Sequence, residues 1–181
     1  MPPEHLVTEH LTQITLQRSP RAVVDASPWG GGAALFEGGR LTEFWALRWS
    51  AADAAALETE IGDPAGQTSW ELLALFLTLV LWGRSRRGPG LALLGDNLGP
   101  LEAALNLRGK GVLSKISREI AWRRARDGWR YAAGHLPSER NVVADSLSRL
   151  YAPAAEAKSL PAAVAGATRR DPPDVGSLWT L

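Results

Sequence analysis

The sequence predicts an α/β fold: a five-stranded mixed sheet, three antiparallel strands then two parallel ones, with helices on both faces. Three observations carry this reading. Strand and helix signals follow the order β-β-β-α-β-α-β-α. One helix, Thr68–Arg84, is apolar almost all round, as a helix enclosed by its neighbours must be. The fourth strand, Leu91–Gly95, is wholly apolar, as expected when both faces are covered.

Residues 1–20 have little periodicity, end at Pro20 and read as an N-terminal arm or linker. Arg21–Ser27 is a β-branched strand with a carboxylate inside it. Gly30–Gly32 reads as a turn into a second strand, Ala33–Phe36, and Gly38-Gly39 as a turn into a third, Leu41–Trp49. In that third strand Trp45 and Trp49 share parity with Leu41 and Leu47, which predicts one core-facing side. Residues 50–67 form an Ala- and acid-rich connection with room for a short helix. Trp70 and Trp82 flank the enclosed helix and are expected beneath the sheet. Pro100–Leu107 and Leu113–Arg126 read as helices, Trp129–Ala133 as the fifth strand and Asn141–Leu150 as the last helix. The domain is therefore expected over 21–151. Residues 152–181, rich in Ala and Pro, read as a disordered tail.

Composition excludes several function classes. With 181 residues the chain suits one domain with a real core. The absence of Cys removes disulfides, Cys-based zinc sites and thiol nucleophiles together. Lys and Arg number 20 against 19 Asp and Glu, so any basic surface has to be local. The start MPPEHLVTEH lacks the apolar stretch of a signal peptide. The apolar run Leu72–Trp82 falls short of the ~20 residues that cross a bilayer. A soluble, intracellular monomer is expected, with no membrane partner. Nothing separates cytoplasm from nucleus.

Four acids fall at informative places. Asp25 is mid-strand, where an unpaired carboxylate is costly to bury. Glu71 is the only charge between Trp70 and Trp82. Asp96 follows the fourth strand directly, and Asp145 lies on the last helix. If the first and fourth strands are neighbours, Asp25 and Asp96 approach each other, and the two helices bring in Glu71 and Asp145. Such a cluster of like charges calls for divalent cations, and hard oxygen donors suit Mg²⁺ or Mn²⁺. Two ions about 3.5–4 Å apart serve in-line phosphodiester hydrolysis by activating water and neutralising the leaving oxygen. Ordinary roles compete. Thr68 and Glu71 match a capping box, Asp96-Asn97 matches a turn or N-cap, and Asp145 suits a solvated helix face behind an Asn141 N-cap.

The segments VVDASPWGGGAAL at 23–35, WELLALFLTLVLW at 70–82, LLGDN at 93–97 and GHLPSERNVVADSLSRL at 134–150 together resemble the ribonuclease H family. In particular they resemble the ribonuclease H domain of retroelement reverse transcriptases, whose phrasing ADSLSRL matches most closely. The resemblance covers about residues 21–151, with the four motifs in family order. It implies a ribonuclease H-like fold, with Asp25, Glu71, Asp96 and Asp145 as catalytic acids holding two Mg²⁺, Mn²⁺ being able to substitute. It implies that Asn97 lines the nucleic-acid groove. It implies an RNA–DNA hybrid as substrate, and the polymerase domain of the same polyprotein as partner. Cellular members carry a mobile His three residues after the position of His135; here that place is Ser138.

Residues 108–130 carry a local excess of six positive charges, interleaved with Trp122 and Trp129. Cations of this kind bind phosphates and aromatic rings stack on sugars or bases. Lys115, Arg118, Trp122 and Arg123, with His135 and Asn141 in the closing loop, are the expected nucleic-acid contacts. The competing reading is a solvated helix whose apolar side holds Ile116 and Ile120. The function expected is hydrolysis of the RNA strand of RNA–DNA hybrids during retroelement reverse transcription. The alternatives are a catalytically weak or inactive nucleic-acid-binding module and a related nuclease acting on another substrate.

Overall fold

The computed structural model describes residues 19–84, 90–97, 99, 100, 102, 106, 110–174 and 176. The strands are β1 (Arg21–Ser27), β2 (Gly30–Glu37), β3 (Arg40–Arg48), β4 (Leu91–Gly95), β5 (Tyr131–His135) and β6 (Thr168–Arg169). The α-helices are α1 (Ala51–Ala56), α2 (Gln67–Trp82), α3 (Leu113–Asp127) and α4 (Val142–Ser148). The sheet order is β5-β4-β1-β2-β3-β6. β1, β2 and β3 form the antiparallel meander, and β4 and β5 run parallel to β1. The predicted mixed sheet is thus present, with one strand more than expected. Most of the predicted helix Pro100–Leu107 lies outside the described residues.

Two cores flank the sheet. On one face, α2 and α3 bury Trp45, Trp70, Leu73, Phe76, Ile116 and Ile120 against β1 and β4. From Leu72 to Leu79 helix α2 is apolar on all sides because it is buried on all sides. The stretch Pro64–Trp82 is long and apolar enough to span a bilayer by length and composition, but 61% of its 18-residue window is buried inside the fold. The four Trp residues predicted as core are buried, and Trp49 stacks on Trp70 with centroids 5.1 Å apart. Leu41 departs from the parity prediction and packs with the other core. A register shift between Leu35 and Phe36 opposes Glu43 and then Leu41, so Thr42 is bulged and the alternation reverses.

On the opposite face α4 packs across β1, β2 and β3. Gly30–Gly32 is not a turn but the start of β2, and the reason is this packing. A Cβ at Gly32 would sit 2.4 Å from Leu147 Cβ, and one at Gly31 would sit 2.5 Å from the Trp49 ring. Glycine lets a helix and an indole approach the two faces of one strand.

The tail is the main correction. Residues 152–174, expected to be disordered, fold back on the sheet. Val164 is buried in the second core, and β6 pairs in parallel with the β3 edge through Glu43–Thr168 and Phe44–Arg169. Arg170 Nε lies 3.3 Å from Glu43 Oε1, and Trp82 Nε1 donates to Glu43 Oε2 at 2.8 Å. Sequence pattern does not show this because β6 is two residues long and carries no apolar alternation; its partners are β3 and one buried carboxylate. Arg170→Ala leaves that carboxylate with the indole alone. Its expected cost is about 1–2 kcal/mol, read by denaturant unfolding.

Candidate active site

Parallel strands direct a site to their carboxyl ends. β1 and β4 are adjacent, with Val23 opposite Leu94, and continuing that register brings Asp25 level with Asp96. Glu71 enters from the first turns of α2, and α4 brings Asp145 to the far side of β1. A small open cleft is lined by Asp25, Glu71, Asp96, Asn97 and Leu75 among others. Three of the four predicted acids therefore border one cleft.

The ordinary role considered for Glu71 does not hold. Helix α2 starts at Gln67 behind Gly66, with no side-chain cap, so Thr68 and Glu71 form no capping box. The capping box in this region is instead Ser50 with Asp53, at the start of α1. Glu71 accepts from Gln67 Nε2 at 2.7 Å, and the same amide reaches Ala26 O at 2.6 Å, fastening α2 to the end of β1. Asp25 Oδ2 accepts from Ser148 Oγ at 2.6 Å, tying β1 to the end of α4. Sequence reading did not single out Gln67 or Ser148. The available signal was spacing: each lies one helical turn from an acid, Gln67 before Glu71 and Ser148 after Asp145.

Electrostatics separate the acids. Burial pushes the Asp25 carboxyl up to about 6; the Ser148 hydrogen bond opposes this, and the charges of Asp96 and Asp145 add to it. Burial likewise pushes Glu71 up to about 7, with Asp25 and Asp96 adding repulsion against the bonds from Gln67 and Asn97. Asp145 goes the other way. Burial raises it, but hydrogen bonds and charge from Lys158 and Arg149 together hold it below the usual carboxylate range. Arg149 Nε donates to Asp145 Oδ1 at 2.9 Å, and Lys158 Nζ donates to Oδ2.

Hard oxygen donors with uncompensated negative charge fit a divalent cation in chemistry. The cage is not preassembled: among the described residues no three His, Cys, Asp or Glu side chains are gathered as a metal-binding group. Asp145 is occupied by cations of the chain itself.

The expected nucleic-acid contacts divide. Lys115, Arg118 and Trp122 lie on the outer side of α3, where Trp122 is 40% exposed under the Arg126 guanidinium at 3.8 Å. Arg123 turns inward, bonded to Glu119 at 2.5 Å and lying over Phe76 and Trp129, so its place is structural. Trp129 is buried. His135 ends β5 in an exposed position, and Asn97 borders the cleft. Asn141, expected on the nucleic-acid surface, is only 1% exposed. It precedes α4 without a side-chain cap bond, and its Nδ2 donates to Val24 O at 3.1 Å. It pins the closing helix to β1 from within.

No protein-family model and no curated protein matches the sequence. Solved structures do. LC11-RNase H1, isolated from compost by a metagenomic approach, superposes with a TM-score of 0.55 at 16% identity, covering 72% of this chain and 92% of that one. The fold is that of ribonuclease H. LC11-RNase H1 in complex with an RNA/DNA hybrid superposes with a TM-score of 0.51 at 14% identity, over 71% of this chain and 93% of that one. With identities this low, what is shared is the ribonuclease H fold. The shared fold is a mixed sheet with helices on both faces; here it carries Asp25 on β1 and Asp96 directly after the neighbouring β4, and β6 adds a sixth strand at the β3 edge.

Proposed function

We infer that the protein is a metal-dependent endonuclease that hydrolyses the RNA strand of RNA–DNA hybrids. The observation that carries this is the convergence of Asp25 on β1, Glu71 on α2 and Asp96 just after β4 on one cleft of a ribonuclease H fold. The donor set fits two Mg²⁺, with Mn²⁺ able to replace them. Asp25, Glu71, Asp96 and Asp145 would hold them. Bound there, the ions supply an activated water and neutralise the leaving oxygen. Gln67 and Ser148 orient Glu71 and Asp25. Lys115, Arg118, Trp122 and Arg126 give α3 a cationic, aromatic outer side that suits a phosphate backbone. The substrate strand is chosen by its 2′-hydroxyls and by the shape of the hybrid.

The motif phrasing at 134–150 supports a retroelement origin, with the polymerase domain of the same polyprotein as partner and reverse transcription inside the cell as setting. A second reading, a nucleic-acid-binding module with weak turnover, is favoured by Ser138 at the loop position and by the cations on Asp145.

The test is cleavage of labelled RNA in a hybrid and in an RNA duplex, in Mg²⁺. The expected result is hybrid-only cleavage that falls about 100-fold in Asp96→Asn, as losing one cation ligand at the rim requires. Hybrid binding without cleavage in either Mg²⁺ or Mn²⁺ would establish the binding module instead.

A further inference from the structure

Asp145 differs from the cleft acids in having both oxygens taken by cations, while Asp25 and Glu71 accept from the uncharged Ser148 and Gln67. Arg149 is its neighbour one helical turn on. Lys158 comes from the tail, thirteen residues along the chain. The intervening segment is built to deliver it. The amides of Glu156 and Ala157 both donate to Pro153 O at 2.8 Å, closing a turn. The Lys158 amide then donates to Arg149 O at 3.2 Å, and Arg149 Nη1 reaches Glu156 Oε2 at 3.2 Å. Further on, buried Val164, β6 and the Arg170–Glu43 pair fix the chain to the sheet. A free surface lysine gives up side-chain and backbone freedom to form an ion pair, which is why such pairs contribute little. Here the backbone freedom is already lost on both sides of Lys158.

We propose that the docked segment 153–158 is a latch on the site: Lys158 occupies Asp145 and has to be displaced before Asp145 can ligate a divalent cation. The tail thereby sets the cation affinity of the site. This rests on the reading of the four acids as a cation site. The physical basis is direct competition. An ammonium on Asp145 Oδ2 takes one of that oxygen's acceptor positions and offsets its negative charge, and a fixed positive charge beside the site also repels the incoming ion. Asp25, Glu71 and Asp96 have no such competitor in hydrogen-bond contact among the described residues, so the latch acts on the Asp145 side of the site alone.

The experiment is a Mn²⁺ titration of the full chain without nucleic acid, followed by the electron paramagnetic resonance signal of free Mn²⁺. Lys158 is exposed, so its variants keep the core intact. Lys158→Gln is expected to bind Mn²⁺ about three- to tenfold more tightly, from the lost pair and the lost repulsion. Lys158→Arg restores the charge and is expected to stay within about twofold of the unaltered chain. Unchanged or weaker binding in Lys158→Gln, or equal tightening in Lys158→Arg, overturns the latch while leaving the cation site standing. If none of the three proteins binds Mn²⁺, the latch and the nuclease reading fall together.

Discussion

Asp25→Asn is expected to abolish hybrid cleavage and at the same time to make the metal-free protein more stable. The loss follows from position. Asp25 is the acid that both Glu71 and Asp145 face, since the charges of Asp96 and Asp145 act on it and its own charge acts on Glu71. Removing the shared ligand costs several kcal/mol of transition-state stabilisation, on the order of 10³-fold in rate. The gain in stability follows from burial. The Asp25 carboxyl is held up at about 6 in the folded protein, against 3.8 in the open chain. A carboxylate with a raised folded pKa contributes nothing adverse below its unfolded pKa, and its destabilisation grows as pH rises through the folded value. Metal-free stability should therefore fall between about pH 4 and pH 7, through Asp25 and then Glu71, whose carboxyl is held at about 7. At pH 8 the ionised Asp25 costs up to about 3 kcal/mol, and Asn recovers part of that while still accepting from Ser148. Chelated thermal melts at pH 5 and pH 8 decide the matter. The unaltered protein should lose stability with pH more steeply than Asp25→Asn. A variant less stable than its parent at pH 8 would mean that the cleft does not hold uncompensated charge. Adding millimolar Mg²⁺ should reverse the order, stabilising the parent and leaving the variant nearly unmoved.

That opposition between stability and activity also explains what was legible in the sequence. Asp25 sits between Val24 and Ala26 in a strand, a place where a carboxylate serves no packing purpose, and the pattern exposed it at once. Glu71 stood out for the same reason, as a lone charge in an apolar helix. The sheet and its enclosing helices were legible because period-2 and all-apolar segments report burial directly. What stayed hidden is what depends on distant chain meeting. Gly30–Gly32 looked like a turn because glycine signals both turns and close approach, and only the seat of Leu147 and Trp49 distinguishes them. Arg123 looked like a nucleic-acid contact because its charge is local; its i,i+4 partner Glu119 is local too, but the rings of Phe76 and Trp129 that draw it inward meet it only in the fold. The packed tail was hidden by its Ala and Pro content. Those residues form no periodic element, yet Val164 joins the second core beside Ala34, Phe44 and Ala46, and Arg170 pairs with Glu43.

Gly32→Ala is expected to be the most damaging single-methyl change in the fold. The new Cβ would lie 2.4 Å from Leu147 Cβ, 2.9 Å from the Leu147 carbonyl carbon and 3.1 Å from the Ser148 amide. Two of these three are backbone atoms, so no rotamer change relieves the clash, and α4 has to lift from β2. Overpacking of this kind costs about 3 kcal/mol, or roughly 10 °C in Tm for a domain of this size. The shift also carries Ser148 away from Asp25 and Asp145 away from β1, so cation binding should weaken as well. Gly38→Ala is the contrast. Its Cβ meets nothing within 4 Å, and only the left-handed backbone at φ 56° opposes it, a cost of about 1 kcal/mol. The mechanism is separable by a double-mutant cycle. Leu147→Gly, which removes the Cβ nearest the new methyl, should alone cost more than the about 2–4 kcal/mol of a buried Leu truncated to Ala, and combined with Gly32→Ala the losses should fall clearly short of additive because the closest of the three contacts is gone. Strict additivity, or a Gly32→Ala protein as stable as its parent, would show that α4 does not ride on the glycine face of β2. The closing helix that presents Asp145 would then need a different seat.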